Sequence, residues 1–171
     1  ELIAQIRAAA TDAPAAGAFL EEPWRNFVGV TRSMTDQAIH DEYDTLFGGV
    51  GKPEVYLYGL HYLSGFLNEK PLARLRTELQ SLGLERSELM SDTEDHFAYL
   101  CEVMRYLIAG DDVAVANLTR QREFFSTHIQ PWVGLMCDDI QNNTKAHFYA
   151  SLAELIRAFM GVEAQGFDML V

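Results

Sequence analysis

The chain has 171 residues and a mass of 19.3 kDa, and its 25 acidic and 13 basic side chains leave a formal net charge of −12. This charge repels phosphate backbones and anionic lipid headgroups, so it argues against a nucleic-acid-binding protein and against docking on anionic membranes. With 49% hydrophobic and 22% charged residues, the composition is that of a folded globular protein. The length suits one domain or two packed halves.

The cysteines and the hydropathy of the chain indicate its compartment. Cys101 and Cys137 each lie in an apolar helical pattern and not in a CxxC pair, which favours buried thiols in a reducing compartment and leaves a disulfide between them open. No apolar run approaches the roughly 18 residues of a membrane span, and no signal peptide is visible. We therefore expect a cytoplasmic protein without stable membrane insertion. The helical pattern already present at Glu1 suggests a shortened N-terminus.

Apolar residues recur close to every 3.6 positions almost throughout the chain, and no run alternates with period two, which predicts an all-α fold. In chain order we predict a short first helix, a break at 11–17, and helices over 36–47 and 55–67. Pro71 opens the next helix, and Gly83 is expected to cap its C-terminus. The apolar face of this helix carries four leucines: Leu72, Leu75, Leu79 and Leu82.

Residues 85–94 are mostly polar and are interpreted as a connection between an N-terminal lobe at 1–90 and a C-terminal lobe at 91–171. An apolar stripe from Phe97 to Ile108 predicts the next helix, ended by Gly110. Further helices are predicted over three ranges: 111–126, 128–140 and 144–160. The tail at 161–171 lacks a clear period.

The sequence lacks the motifs of several common catalytic and ligand-binding sites. The glycine-rich segment 48–53 lacks the spacing and the Ser or Thr of a phosphate loop and is interpreted as a loop that ends a helix. The five histidines form no pair with the spacing of metal ligands on one helix face. No GxSxG elbow occurs, and Cys101 lies on the apolar stripe. We therefore predict no catalytic residues, no metal site and no cofactor.

Two short polar segments remain. Residues 92–96 place three carboxylates and His96 just before the predicted helix at Phe97, where acidic groups complement the helix dipole and one of them is expected to cap it. Residues 128–132 place Pro131 in a first helical turn beside Trp132, a residue type that more often packs in a core than lines a binding surface.

Together with two further segments, these patterns resemble the TorD/DmsD family of cytoplasmic chaperones for molybdenum-containing redox enzymes. Residues 42–47 look like the E-Y-x-x-L-F segment of that family. Residues 94–96, with Glu102 and Met104, look like its E-P-x-D-H…E…M segment, although Asp92 and Thr93 replace the leading acid and the proline. Residues 128–132 look like H-x-x-P-W, and 148–152 look like F-Y-x-x-L.

The resemblance implies an all-α, two-lobed helical bundle, TorD-like, with a hinge near 85–95. It also implies a non-enzymatic chaperone that binds the twin-arginine leader and the apo form of a molybdoenzyme catalytic subunit, and that assists cofactor loading and assembly before export. A monomer and a domain-swapped dimer are both open. Two other interpretations are a guanine-nucleotide-binding helical protein and a helical assembly subunit that binds a folded partner.

A leader combines two adjacent arginines with a hydrophobic stretch, and carboxylates bind guanidinium groups through paired hydrogen bonds. The resemblance implies that the arginines of the leader bind near four residues: Glu94, Asp95, His96 and Glu102. Tyr43, His128 and Trp132 are expected to line or support the groove. Core packing is the alternative role for Tyr43, Pro131 and Trp132. For His96 the alternative is control of release, because a protonated imidazole opposes arginine binding.

Overall fold

The computed structural model describes residues 1–11, 19–48, 51–63, 70–87 and 91–170. The described residues form helices joined by turns, with an isolated bridge between Tyr58 and His96, and this confirms the predicted all-α fold. In chain order the α-helices are α1 (Leu2–Ala8), α2 (Glu21–Ser33), α3 (Asp36–Leu46), α4 (Gly59–Leu63), α5 (Lys70–Ser81), α6 (Phe97–Ala109), α7 (Leu118–Phe124), α8 (Gln130–Asn142) and α9 (Phe148–Asp168). None of these helices is long and apolar enough to cross a bilayer.

Contacts between Cα atoms divide the chain into two compact units. The first unit combines residues 1–56 with residues 135–171, and the second comprises residues 57–134. The division therefore falls inside α8, and residues 85–95 belong to the second unit. These units differ from the two sequential lobes expected from the sequence, and the hinge near 85–95 stays a prediction.

The core of the first unit forms where α2 packs against α9. Phe27, Ile39 and Phe148 are its buried centre, and the rings of Phe27 and Phe148 lie 5.3 Å apart between centroids. Helix α2 has no counterpart among the helices predicted from the sequence, although Trp24, Phe27 and Val28 have helical spacing. Its apolar face is what holds α9 in place.

The second unit contains the predicted leucine face of α5. All four of its leucines are buried: Leu72, Leu75, Leu79 and Leu82. Gly83 has φ +71° and donates its N–H to Gln80 O, while Leu84 donates to Leu79 O. These two bonds form a Schellman motif, which needs a residue that tolerates positive φ. The prediction that Gly83 caps this helix is confirmed.

The predicted helix over 55–67 is wrong at its start. Tyr58 pairs with His96, Leu57 O accepts the N–H of Phe97, and Gly59 donates to Asp95 O. These bonds tie residues 57–59 to the segment before α6, so helix α4 begins only at Gly59 and is described to Leu63. Residues 64–67 of the predicted helix lie outside the described part of the chain.

The later helices also differ from the predicted ranges. Helix α7 begins at Leu118, not at 111, because the side chain of Asn117 accepts the N–H of Arg120 and caps it there. A π-helical segment, Phe125–Ile129, then joins α7 to α8, so the predicted break at 127 is absent. Helix α9 begins at Phe148 and extends to Asp168, through much of the tail that had no clear period.

Candidate functional site

The seven residues expected at the site are divided between the two units. Tyr43 belongs to the first unit. The second unit holds the other six: Glu94, Asp95, His96, Glu102, His128 and Trp132.

Asp95 is a buried carboxylate that organises its own surroundings, with a residue exposure of 5%. One carboxylate oxygen accepts the N–H of Leu60 at 2.8 Å, in the first turn of α4, and the other accepts the Thr93 hydroxyl at 2.5 Å. Both oxygens therefore have partners within the unit, and a carboxylate at the start of a helix also interacts favourably with its dipole. In the structure Asp95 holds the start of α4 against the segment before α6.

Glu94 is bound to an arginine of this chain. Its two oxygens accept three hydrogen bonds from the Arg76 guanidinium, at 3.0 to 3.1 Å. Burial by itself raises the pKa of the Glu94 carboxyl, but the hydrogen bonds from Arg76 and from its own backbone, with the attraction of Arg76 and Arg86, lower that pKa below its usual value. Glu94 is thus ionised and engaged in the kind of paired contact expected for a leader arginine.

His96 caps helix α6, whereas a carboxylate was the cap expected from the sequence. Its Nδ1 accepts the N–H of Ala98 at 3.2 Å, so the neutral ring supplies the acceptor. The ring centroids of Tyr58 and Tyr99 each lie 5.2 Å from the centroid of the His96 ring. Burial lowers the pKa of His96, and the nearby Asp92 and Asp95 carboxylates only partly oppose this.

The His96 cap makes stability depend on pH. Because the folded pKa lies below the usual value of about 6.5, the stability that the cap contributes is present above about pH 6.5 and is lost as the pH falls through the folded pKa. We expect His96→Asn, which caps helices without titrating, to remove this dependence. Chemical denaturation of both proteins at about pH 8 and about pH 5 should show the wild type losing more stability than the variant on acidification. Equal losses in the two proteins would contradict the cap.

His128 and Trp132 lie in the core of the second unit. His128 Nε2 lies 2.7 Å from a carboxylate oxygen of Glu78, and the backbone carbonyl of His128 accepts the Trp132 indole N–H at 2.6 Å. Trp132 is 1% exposed and stacks on Tyr62 with the ring centroids 5.7 Å apart. A Cβ on Gly59 would lie 3.0 Å from Trp132 Nε1, so only glycine leaves this packing undisturbed.

A cavity of about 320 Å³ brings three of the expected residues together in the second unit. Asp95, His128 and Trp132 line it with apolar side chains that include Leu60, Leu63, Leu72, Leu75 and Leu100. Lys70 and Arg74 also line it, so the cavity offers an apolar wall with cationic groups beside it. Such a lining suits the hydrophobic part of a peptide better than its arginines.

Glu102 is the exposed carboxylate of the expected set. Its side chain is 65% exposed and forms an ion pair with Arg105, one helical turn away, at 2.8 Å. Exposed pairs of this kind contribute little stability and exchange partners readily. The neighbouring Cys101 thiol has its pKa raised to about 11 by burial and by Glu102, which opposes a nucleophilic role.

Tyr43 lies in an aromatic cluster of the first unit. Its ring is 5.3 Å from Phe47 and 5.9 Å from Tyr149 between centroids, and Tyr43 remains 41% exposed. Burial, together with Tyr43, Glu42 and Asp44 nearby, raises the pKa of Tyr149 to about 12. The cluster is a partly exposed aromatic surface suited to contact a cation or an apolar side chain.

Glu42 is the important residue that the expected set omits. It is buried and accepts the N–H groups of His147, Phe148 and Tyr149, at 2.8 to 3.1 Å. These are donors of the first turn of α9, so the carboxylate of α3 caps a helix more than 100 positions away. The glutamate of the E-Y-x-x-L-F segment therefore anchors the F-Y-x-x-L segment. The feature that could have identified Glu42 from the sequence is the position of this glutamate on the buried face of α3.

Residues 13–138 match the model of the family described as nitrate reductase delta subunit. The chain belongs to this family. It is a family of NarJ/TorD-type chaperones that act in molybdoenzyme maturation, and membership confirms the resemblance inferred from the sequence. Comparison with curated proteins gives no match.

The family match covers three of the four motif segments and ends before the fourth. Residues 42–47, 94–104 and 128–132 lie inside the matched range, and 148–152 lies beyond it. In the structure the fourth segment is tied to the first through Glu42. Membership in a chaperone family, not a catalytic one, is consistent with the expectation of a protein that is not an enzyme.

Proposed function

We propose that this protein is a cytoplasmic chaperone that binds the twin-arginine leader of a molybdopterin-dependent oxidoreductase. It holds the apo enzyme and assists cofactor loading and assembly before export. The family match over residues 13–138 is the observation that carries the proposal, because it restricts the client to the molybdoenzyme class. The chemistry of the second unit supports binding of the leader in particular.

The cavity in the second unit supplies the apolar part of the proposed leader site. The leucines that line it provide an apolar surface for the hydrophobic stretch of a leader, and the buried Trp132 supports this surface. Asp95 and His96 support this surface indirectly, since one holds the start of α4 and the other the start of α6. We therefore assign positioning roles to Asp95 and His96, and not direct arginine binding.

The arginines of the leader have two candidate carboxylates in the second unit. Glu102 is exposed, and its ion pair with Arg105 contributes little free energy, so Glu102 can pair with an arginine of the leader instead. Glu94 would first have to release Arg76, which holds it through paired hydrogen bonds. Glu102 is thus the more accessible partner.

Isothermal titration of the full chain with a synthetic leader peptide tests the proposal. We expect binding that weakens as salt rises, because the arginine contacts are electrostatic. Glu102→Gln should weaken binding about threefold, whereas Glu123→Gln, an exposed glutamate of α7, should leave it unchanged. No heat at low salt and micromolar concentrations would contradict leader binding.

Two control titrations address the other interpretations. Equal affinity for the mature client without its leader would favour an assembly subunit that binds a folded partner. Saturable binding of a fluorescent guanine nucleotide, with no binding of the leader, would favour a nucleotide-binding protein.

A further inference from the structure

Two basic side chains line the largely apolar cavity of the second unit. Lys70 and Arg74 are four positions apart on α5, so they lie on the same side of that helix. Both residues are exposed, so their charged groups reach solvent at the edge of the cavity while their aliphatic stems extend its apolar wall. The cavity therefore has a leucine-lined interior and a cationic edge, which we define as Lys70 and Arg74.

The cavity lining does not neutralise this cationic edge. Asp95 is the acidic residue among the described lining residues, and its two oxygens already accept the Leu60 N–H and the Thr93 hydroxyl. Two cations at a spacing of four positions on a helix repel each other. An anionic group of a ligand, bound at the cationic edge, would be attracted by both Lys70 and Arg74 and would relieve that repulsion.

Arg74 differs in this respect from other arginines of the second unit. Arg76 forms an ion pair with Glu94, and Arg105 forms one with Glu102. Within the part of the chain that the structure describes, no carboxylate forms an ion pair with Arg74. In a chain with 25 acidic and 13 basic side chains, the guanidinium of Arg74 therefore remains to attract an anionic group of a ligand.

The cationic edge also determines how a leader lies in the cavity. A leader carries its two arginines before the apolar stretch, and charges of the same sign at the cationic edge repel them. The arginines therefore lie away from this edge, and the far end of the apolar stretch lies beside Lys70 and Arg74. Because a guanidinium binds a carboxylate through two parallel hydrogen bonds, an aspartate or glutamate is the complementary residue at that end.

We infer that Lys70 and Arg74 determine specificity by selecting a leader that has an acidic residue directly after its apolar stretch. The inference rests on the proposed function, because the leader bound in the second-unit cavity is the ligand. It adds a means of distinguishing one client from another, since an arginine pair and an apolar stretch are common to all twin-arginine leaders. Neither Lys70 nor Arg74 belongs to the motifs or to the expected site residues.

Calorimetric titration of the full chain with matched peptides tests this selection. Three synthetic leaders share the arginine pair and the apolar stretch. The first has aspartate directly after the stretch, the second has asparagine there, and the third has asparagine there and the aspartate before the arginines. We expect the first peptide to bind about fivefold more tightly than either of the others. This preference should decrease as salt rises, because the charges at the cationic edge are exposed.

Charge variants assign the preference to Arg74. Arg74→Gln should reduce the fivefold preference for the first peptide to less than about twofold. Arg120→Gln removes the same charge from an exposed position on α7 in the same unit and should keep the preference. The charge reversal Arg74→Glu should bind a fourth peptide, with lysine after the stretch, more tightly than the first. Thermal unfolding followed by circular dichroism verifies that each variant is folded.

The outcomes separate this selection from leader binding itself. If the wild type binds the three peptides with equal affinity, or if Arg74→Gln keeps the preference, the selection is overturned and the proposed function stands. Tightest binding of the peptide with aspartate before the arginines would reverse the orientation of the leader and would also overturn the inference. No heat with any of the three peptides at low salt overturns the inference together with the proposed function.

Discussion

Replacing Glu42 by alanine is expected to lower the free energy of unfolding by about 3 kcal/mol. The substitution leaves the N–H groups of His147, Phe148 and Tyr149 without their acceptor and removes a negative charge from the positive end of α9. Helix α9 is the main partner of α2 in the first unit, so the loss spreads to that core. Urea denaturation of the full chain, followed by circular dichroism, measures the effect.

Asp41 provides the matched control for Glu42. It lies next to Glu42 on α3 but is exposed, and its side chain accepts the amide of Gln37. Asp41→Asn should change the free energy of unfolding by less than about 0.5 kcal/mol. If Glu42→Ala were as mild as this control, the cap on α9 would not be an important source of stability.

Trp132→Ala is expected to lower the free energy of unfolding by about 3 to 5 kcal/mol. The variant loses the stacking on Tyr62, the edge contact with Phe97 and the indole hydrogen bond to His128 O, and it leaves a void beside Gly59. Trp132→Phe retains most of the packing and should cost less. Denaturation curves of the two variants measure the difference.

Tyr43→Ala is the comparison that separates packing from binding. Tyr43 is an expected site residue that remains partly exposed, and its removal should cost clearly less stability than removal of Trp132. A Trp132→Ala protein that unfolds like the wild type yet no longer binds the leader peptide would make Trp132 a direct binding residue. A large loss of stability would support the core-packing alternative for this residue.

Local sequence signals predicted the elements that depend on near neighbours. The leucines of α5 recur on one face, and Gly83 supplies the positive φ that ends the helix, so this helix could be predicted within one residue of its ends. The segment at 111–117 shows the opposite case. Its apolar residues continue the helical spacing, but the side chain of Asn117 starts α7 later in the chain.

The carboxylates illustrate why the expected site could not be completed from the sequence. The sequence shows a cluster of acidic groups at residues 92–96. Their hydrogen-bond partners lie elsewhere in the chain: Arg76 for Glu94 and the start of α4 for Asp95. A contact between residues 18 or 35 positions apart produces no periodic pattern in the sequence. Whether a carboxylate is available to a ligand or already engaged is therefore decided in three dimensions.

The net charge of −12 and the 3.6-residue period determined, without the structure, an acidic all-α protein, and the order of four short motifs determined its family. These properties follow from composition and from interactions between residues a few positions apart. Only the tertiary structure decided that Glu42 caps α9, that Trp132 is buried in a core, and that Arg76 engages Glu94. Each of these depends on which side chains the fold brings together, because burial and hydrogen bonding are set by spatial neighbours and not by position along the chain.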